Sequence, residues 1–180
     1  MASTTQRVRS RLSTPRQKAV RRARLQPLLP STLSGSINLL NALTWDVTTL
    51  PESATYRNRT AAENRQILER FLEQGKVNVR LFLPVSLNTS VANGKELVMY
   101  EREVKGTEAS KGVRFGDILH KIYGFYMTTK LTPEDKEMVS LGEIVQPLSA
   151  ASRFADFISG QTQFAGLSAQ GNGTYVLNLK

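Results

Sequence analysis

The stretch KVNVRLFLPVSLNTSVANGKELVMYERE, residues 76–103, decides the fold class. Its first half alternates with a period of two. Val77, Val79, Leu81, Leu83, Val85 and Leu87 fall on one face, the pattern of a half-buried strand. Phe82 on the opposite face implies partial cover there too. Pro84 cannot donate to a ladder, so the strand is expected to lie at an edge or to carry a bulge. NTSVANGK (88–95) turns the chain, and ELVMYERE (96–103) returns as a second strand.

Outward from this hairpin the period changes. On the N-terminal side, Thr60-Ala-Ala-Glu63 is a capping box, in which hydroxyl and carboxylate satisfy orphan amides. Ile67, Leu68, Phe71 and Leu72 then make one helical stripe and Gly75 supplies the stop, leaving Glu63, Arg65, Glu69, Arg70 and Glu73 in water. LTWDVTTL (43–50) reads as a first strand ending before Pro51. On the C-terminal side, VKGTEASKG (104–112) is a solvated loop and VRF (113–115) a short strand. GDILHKIYGFYMTTK (116–130) is a helix burying Ile118, Leu119, Ile122, Tyr123 and Tyr126. Thr132-Pro133-Glu134-Asp135 starts another helix: a capping hydroxyl, proline in the first turn, acids at the positive end of the dipole. ASRFADFISG (151–160) suits a short helix. FAGLSAQGNGTYVLNLK (164–180) suits a hairpin turning at 170–173, with Tyr175, Leu177 and Leu179 alternating. Too few βαβ units occur for a doubly wound sheet. The expectation is an α+β domain over residues 37–180, a small mostly antiparallel sheet with two to four helices. A flexible basic arm and linker, residues 1–36, precedes it.

That arm carries the charge. The chain of 180 residues has 24 basic and 15 acidic side chains, for a net +9. Arg7, Arg9, Arg11, Arg16, Lys18, Arg21, Arg22 and Arg24 supply eight of the cations, and the first acid is Asp46. The remaining 16 cations face all 15 acids. The basicity is therefore local, and repulsion among the arginines opposes compaction of the arm until a counter-charge arrives.

Chemistry-bearing motifs are scarce. With no cysteine and only His120, disulfides, thiolate nucleophiles and zinc centres are excluded or left without ligands. His120 reads as a boundary position on its helix. Asp117 and Glu134 sit where helices begin, so capping explains them, while Asp135 and Glu137 remain candidate carboxylates without a partner motif. Glu101 and Glu103 share a strand face with Arg102 opposite, as a solvated edge would. GxGxxG, GxxxxGK[ST] and GxSxG are missing, and QGNG (170–173) joins strands rather than opening a helix. No catalytic residue, metal site or cofactor is expected. Gly124 lies inside the apolar helix, where it costs about 1 kcal/mol against alanine unless close packing offsets it. The aromatics around it, Tyr123, Phe125 and Tyr126, are interface candidates if Phe125 points outward.

No apolar run approaches the roughly 18 residues of a membrane span, and no secretory h-region opens the chain, so the sequons at Asn58, Asn88 and Asn172 read as chance matches. An intracellular, nuclear or virion location is expected. The dense arginines leave no wide apolar face for an organellar presequence. KAVRRAR (18–24) resembles a basic import patch, and Ser10, Ser13 and Thr14 are placed where phosphorylation would offset part of the charge. The sequence-level reading is a non-enzymatic structural or assembly protein whose arm binds nucleic acid through phosphates, without base specificity. Its layout, a small cysteine-free domain behind a basic arm, resembles that of many virion structural proteins. Ribosome- and chromatin-associated proteins share that layout. Two alternatives stand beside it. One is a protein-interaction module with the arm as a targeting signal or tether to an acidic partner. The other is a small enzyme with an unrecognised site.

Overall fold

The computed structural model describes residues 35–74, 77–87, 96–106, 112–133, 135, 151–158 and 160–180. They form a small α+β domain. The central sheet is built from β4 (Asn78–Leu87), β5 (Glu96–Lys105), β7 (Phe164–Gly171) and β8 (Thr174–Leu179), in the order β5-β4-β8-β7. Two smaller sheets pair β1 (Leu43–Thr44) with β2 (Thr55–Tyr56), and β3 (Phe71–Gln74) with β6 (Gly112–Arg114). Three α-helices accompany them among the described residues: α1 (Gly35–Asn41), α2 (Ala61–Leu68) and α3 (Phe115–Tyr123). The described pairings are antiparallel except β4 with β8.

The β4–β5 hairpin forms as its alternation demands. Val79, Leu81, Leu83 and Val85 are at most 1% exposed. Each contributes about 1.5–3 kcal/mol of burial. Val77, the expected first member of that face, precedes β4 and is 41% exposed. The buried face joins Ile118, Leu119, Ile122 and Tyr126 from the α3 region, and Leu167, Tyr175 and Leu177 from β7 and β8, in one core.

Pro84 sits comfortably for a reason that the register supplies. The Gly106 amide donates to the Val77 carbonyl at 3.0 Å, so Val77 and Gly106 are a hydrogen-bonded pair. Hydrogen-bonded pairs recur every two residues, which makes Pro84 and Met99 a non-hydrogen-bonded pair. The missing N–H of Pro84 therefore faces away from β5, on the β8 side. Registered pairing with β8 covers only Arg80 to Phe82. The β4–β5 register passes Pro84 without a bulge, and the Pro84 carbonyl accepts the Tyr126 hydroxyl at 2.8 Å. Pro84 is a local edge inside a paired strand.

The C-terminal hairpin turns at Asn172 and Gly173, with φ of 50° and 70°. Two successive left-handed residues are what a tight antiparallel reversal requires. The outer edge of β7 is closed by side chain and loop. The Asn41 carboxamide donates to the Leu167 carbonyl (3.0 Å) and accepts from its amide (2.7 Å), standing in for a neighbouring strand. Gly166 makes this approach feasible: its φ is +110°, and a Cβ there would come within 2.8 Å of Asn41. Trp45 and Val47 extend the closure through backbone bonds with Phe164 and Thr162.

Four expectations need correction. LTWDVTTL is not a full strand: only Leu43–Thr44 pairs with β2, and after the Asp46–Gln163 bridge the chain turns. A helix, α1, opens at Gly35 and Ser36, two residues ahead of the expected start of the domain, and buries Ile37 and Leu40. The capping box of α2 forms in both directions (Glu63 amide to Thr60 Oγ1 3.3 Å, Thr60 amide to Glu63 Oε2 2.8 Å). However, α2 ends at Leu68 instead of running to Gly75. Phe71–Gln74 finds a ladder in β6, which buries Leu72 and lays the Arg114 guanidinium over the Phe71 ring at 5.7 Å. A tertiary partner outweighs a stripe that fits a helix equally well. Finally, α3 gives way at Gly124 to a π-helical turn, Gly124–Thr128.

VRF forms β6 with its last residue opening α3, and ASRFADFISG contributes the 3₁₀ turn Phe154–Phe157. Thr132 and Asp135 exchange the bonds of a helix start (Thr132 amide to Asp135 Oδ2 2.9 Å, Asp135 amide to Thr132 Oγ1 3.1 Å). The turn at 88–95, the loop at 107–111, Gly75 and residues 136–150 lie outside the described residues.

Candidate functional site

Arg7, Arg9, Arg11, Arg16, Lys18, Arg21, Arg22 and Arg24 all lie outside the described residues. The aromatic candidates are described, and they divide. Phe125 is 2% exposed and Tyr126 is fully buried, whereas Tyr123 is half-buried. The outward Phe125 that an aromatic interface requires is not there. Its ring stacks on Phe154 (centroids 4.4 Å apart, 17° between planes) and meets Tyr126 edge-on at 4.9 Å. Tyr100 completes the group, 5.5 Å from Phe125 and 4.8 Å from Phe154. Such ring pairs add about 0.5–1.5 kcal/mol each beyond their area. Burial pushes the Tyr126 phenol far above its ordinary value. Burial also raises Tyr100, together with the Asp135 carboxylate that accepts its hydroxyl at 3.0 Å.

Gly124 is not required by close packing, as a Cβ there would meet only the Thr128 hydroxyl at an ordinary 3.7 Å. What concentrates at this residue is its carbonyl. It accepts Thr128 Oγ1 (2.7 Å), the Thr129 amide (2.9 Å) and Thr129 Oγ1 (3.0 Å). The two threonine hydroxyls compensate the widened turn.

The carboxylates serve structure. Asp117 accepts the Arg114 amide at 2.9 Å, the capping role expected of it. Asp46 ties the start of β7 to the β1 region, accepting Thr48 through both amide (2.9 Å) and hydroxyl (2.6 Å), Thr162 Oγ1 at 2.8 Å and Gln163 Nε2 at 3.1 Å. Burial raises its pKa, but the bonds from Thr48, Thr162 and Gln163 outweigh that and leave it lowered. His120 is exposed, 3.3 Å from Glu52. Glu134 and Glu137 lie outside the described residues. Among the described residues no group of three or more His, Cys, Asp or Glu could hold a metal ion, and no helix is long and apolar enough to cross a membrane.

Several cations of the described domain surface are answered. Arg80 pairs with Glu101 (3.7 Å), Lys105 with Glu103 (3.8 Å), Arg59 with Glu63 (3.2 Å) and Arg114 with Glu69. Arg102 lies over the Phe125 and Tyr100 rings at 4.9 and 5.6 Å and donates to the Glu101 carbonyl. Sequence reasoning missed this cluster. The available signal was the register: Tyr100 and Arg102 stand opposite Leu83 and Leu81 on the core-facing side.

No protein-family model, curated protein or solved structure matches the chain.

Proposed function

We propose that this chain is a non-enzymatic structural or assembly protein, in the layout of a virion component, whose arginine-rich arm binds nucleic acid through phosphates and without base specificity. The carrying observation is the asymmetry of charge: eight cations and no acid before Asp46, against 16 cations and 15 acids from Asp46 onward. An arm of that composition can follow a phosphate backbone, its cations taking the place of condensed counterions. Eight contacts on duplex DNA correspond to a slope of log affinity against log salt near −7, or roughly four decades between about 50 and 200 mM.

The test is oligonucleotide binding by the full-length protein against a full-length variant with all eight arm cations changed to glutamine. Loss of the steep salt dependence in the variant, with equal binding to unrelated sequences by the wild type, is the expected result. Equal binding by both proteins would refute the arm's role. No binding by either would favour the arm as a targeting signal or tether to an acidic protein.

A further inference from the structure

The short segment 57–70 holds cations that no described carboxylate answers. It contains Arg57, Arg59, Arg65 and Arg70, and its two acids, Glu63 and Glu69, are engaged by Arg59 and Arg114. Arg57, Arg65 and Arg70 are exposed and make no ion pair or side-chain hydrogen bond among the described residues. They project from α2 and the turns at its two ends. Eight helical residues rise about 12 Å, so the three exposed cations stand within a short stretch of the domain surface. Elsewhere among the described residues, exposed cations without a carboxylate occur singly, as at Lys121, or as the facing pair Lys130 and Arg153.

We infer that the α2 face, through Arg57, Arg65 and Arg70, is a second phosphate-binding surface that continues the grip of the arm onto the folded domain. The inference rests on the nucleic-acid reading above and extends it to named residues of the domain. Two observations favour a polyanion over other partners. The other exposed residues of the segment are Asn58, Arg59, Thr60, Ala61, Ala62, Gln66 and Glu69, with no large apolar side chain among them. The exposed large hydrophobics of the described domain are Leu50 and Val77, both outside this segment. A protein interface wants a buried aromatic or aliphatic anchor, and a membrane-surface helix wants an apolar face. This segment, described throughout, has neither; its hydrogen-bonding side chains and three guanidinium groups suit phosphate oxygens. The arm, moreover, joins the domain at α1, and α1 packs against β3, which follows α2 in the chain.

The experiment compares four full-length proteins for binding of fluorescent oligouridylate between about 50 and 200 mM salt. They are the wild type, R57Q/R65Q/R70Q, R57K/R65K/R70K, and the arm variant with eight glutamines. Taking away three phosphate partners on a single strand lowers the magnitude of the salt slope by about 2. The expected result is that drop in the glutamine triple variant, with its melting temperature unchanged and the slope kept by the lysine variant. An unchanged slope in R57Q/R65Q/R70Q, while the arm variant's falls, overturns the inference and leaves the arm reading intact. A wild type with no salt-dependent binding overturns both. Vesicles of phosphatidylserine are the counter-probe: loss of vesicle binding without loss of oligouridylate binding assigns the face to a lipid surface and refutes the inference.

Discussion

Arg102 and Arg65 are the same residue type on the same domain, and they are used in opposite ways. Arg102 is half-buried, its guanidinium laid over Phe125 and Tyr100 and bonded to the Glu101 carbonyl. Arg65 stands exposed on α2 with neither ring nor carboxylate among the described residues; Arg57 and Arg70, in the turns at its ends, are exposed and answered by no carboxylate, although the Arg70 charge acts on the Tyr56 phenol. The first kind of arginine is part of the fold, because removing it uncovers rings and frees a carbonyl. The second kind costs the fold nothing to lose. On the proposal above, exposed cations that no carboxylate answers are where a partner's phosphate has most to gain.

The aromatic corner beneath Arg102 is where the largest effect is expected. Phe125→Ala removes a ring stacked on Phe154 and should cost about 3–5 kcal/mol in urea unfolding. A cost below about 1 kcal/mol would mean the corner holds nothing. Arg102→Ala should cost about 1–2 kcal/mol, because it removes the cation–π pairing and the bond to the Glu101 carbonyl. Were it neutral, Arg102 would belong with the free arginines and the contrast would collapse. Thr60→Ala, which unmakes the α2 capping box, should cost about 1 kcal/mol and leave oligonucleotide affinity at fixed salt little changed. Acid sharpens the picture at Asp46. Its folded pKa is depressed, so its contribution is complete at neutral pH and is lost as pH falls below about 4, through the folded value. The stability gap between wild type and Asp46→Asn should narrow from pH 7 to pH 3, and a constant gap would contradict the assignment. Smallest of all, R57Q/R65Q/R70Q should move the unfolding free energy by less than about 0.5 kcal/mol.

The β4–β5 hairpin is legible in the sequence because its alternation admits one period, and the C-terminal hairpin because QGNG fits only a tight reversal. Residues 67–72 are not: Ile67, Leu68, Phe71 and Leu72 satisfy a helical stripe, and only the distant partner β6 decides that Phe71 and Leu72 extend. Around Gly124 the residue types are informative but their facing is not. The π-helical turn changes the angular position of everything after Tyr123, and Phe125 ends against Phe154, far away in sequence. Asp46 reads as part of a strand because its partners Thr162 and Gln163 lie more than a hundred residues on. The capping carboxylate Asp117 is legible, since its partner is three residues away. Free and held arginines look alike in a sequence; their difference is made entirely by packing.

The most direct test of the central claim is the slope of log affinity against log salt for the full-length wild type on duplex DNA of unrelated sequences. A slope of magnitude about 7 or more, the same for every sequence, is the predicted result. A slope near zero, or strong discrimination among sequences, would contradict a phosphate grip.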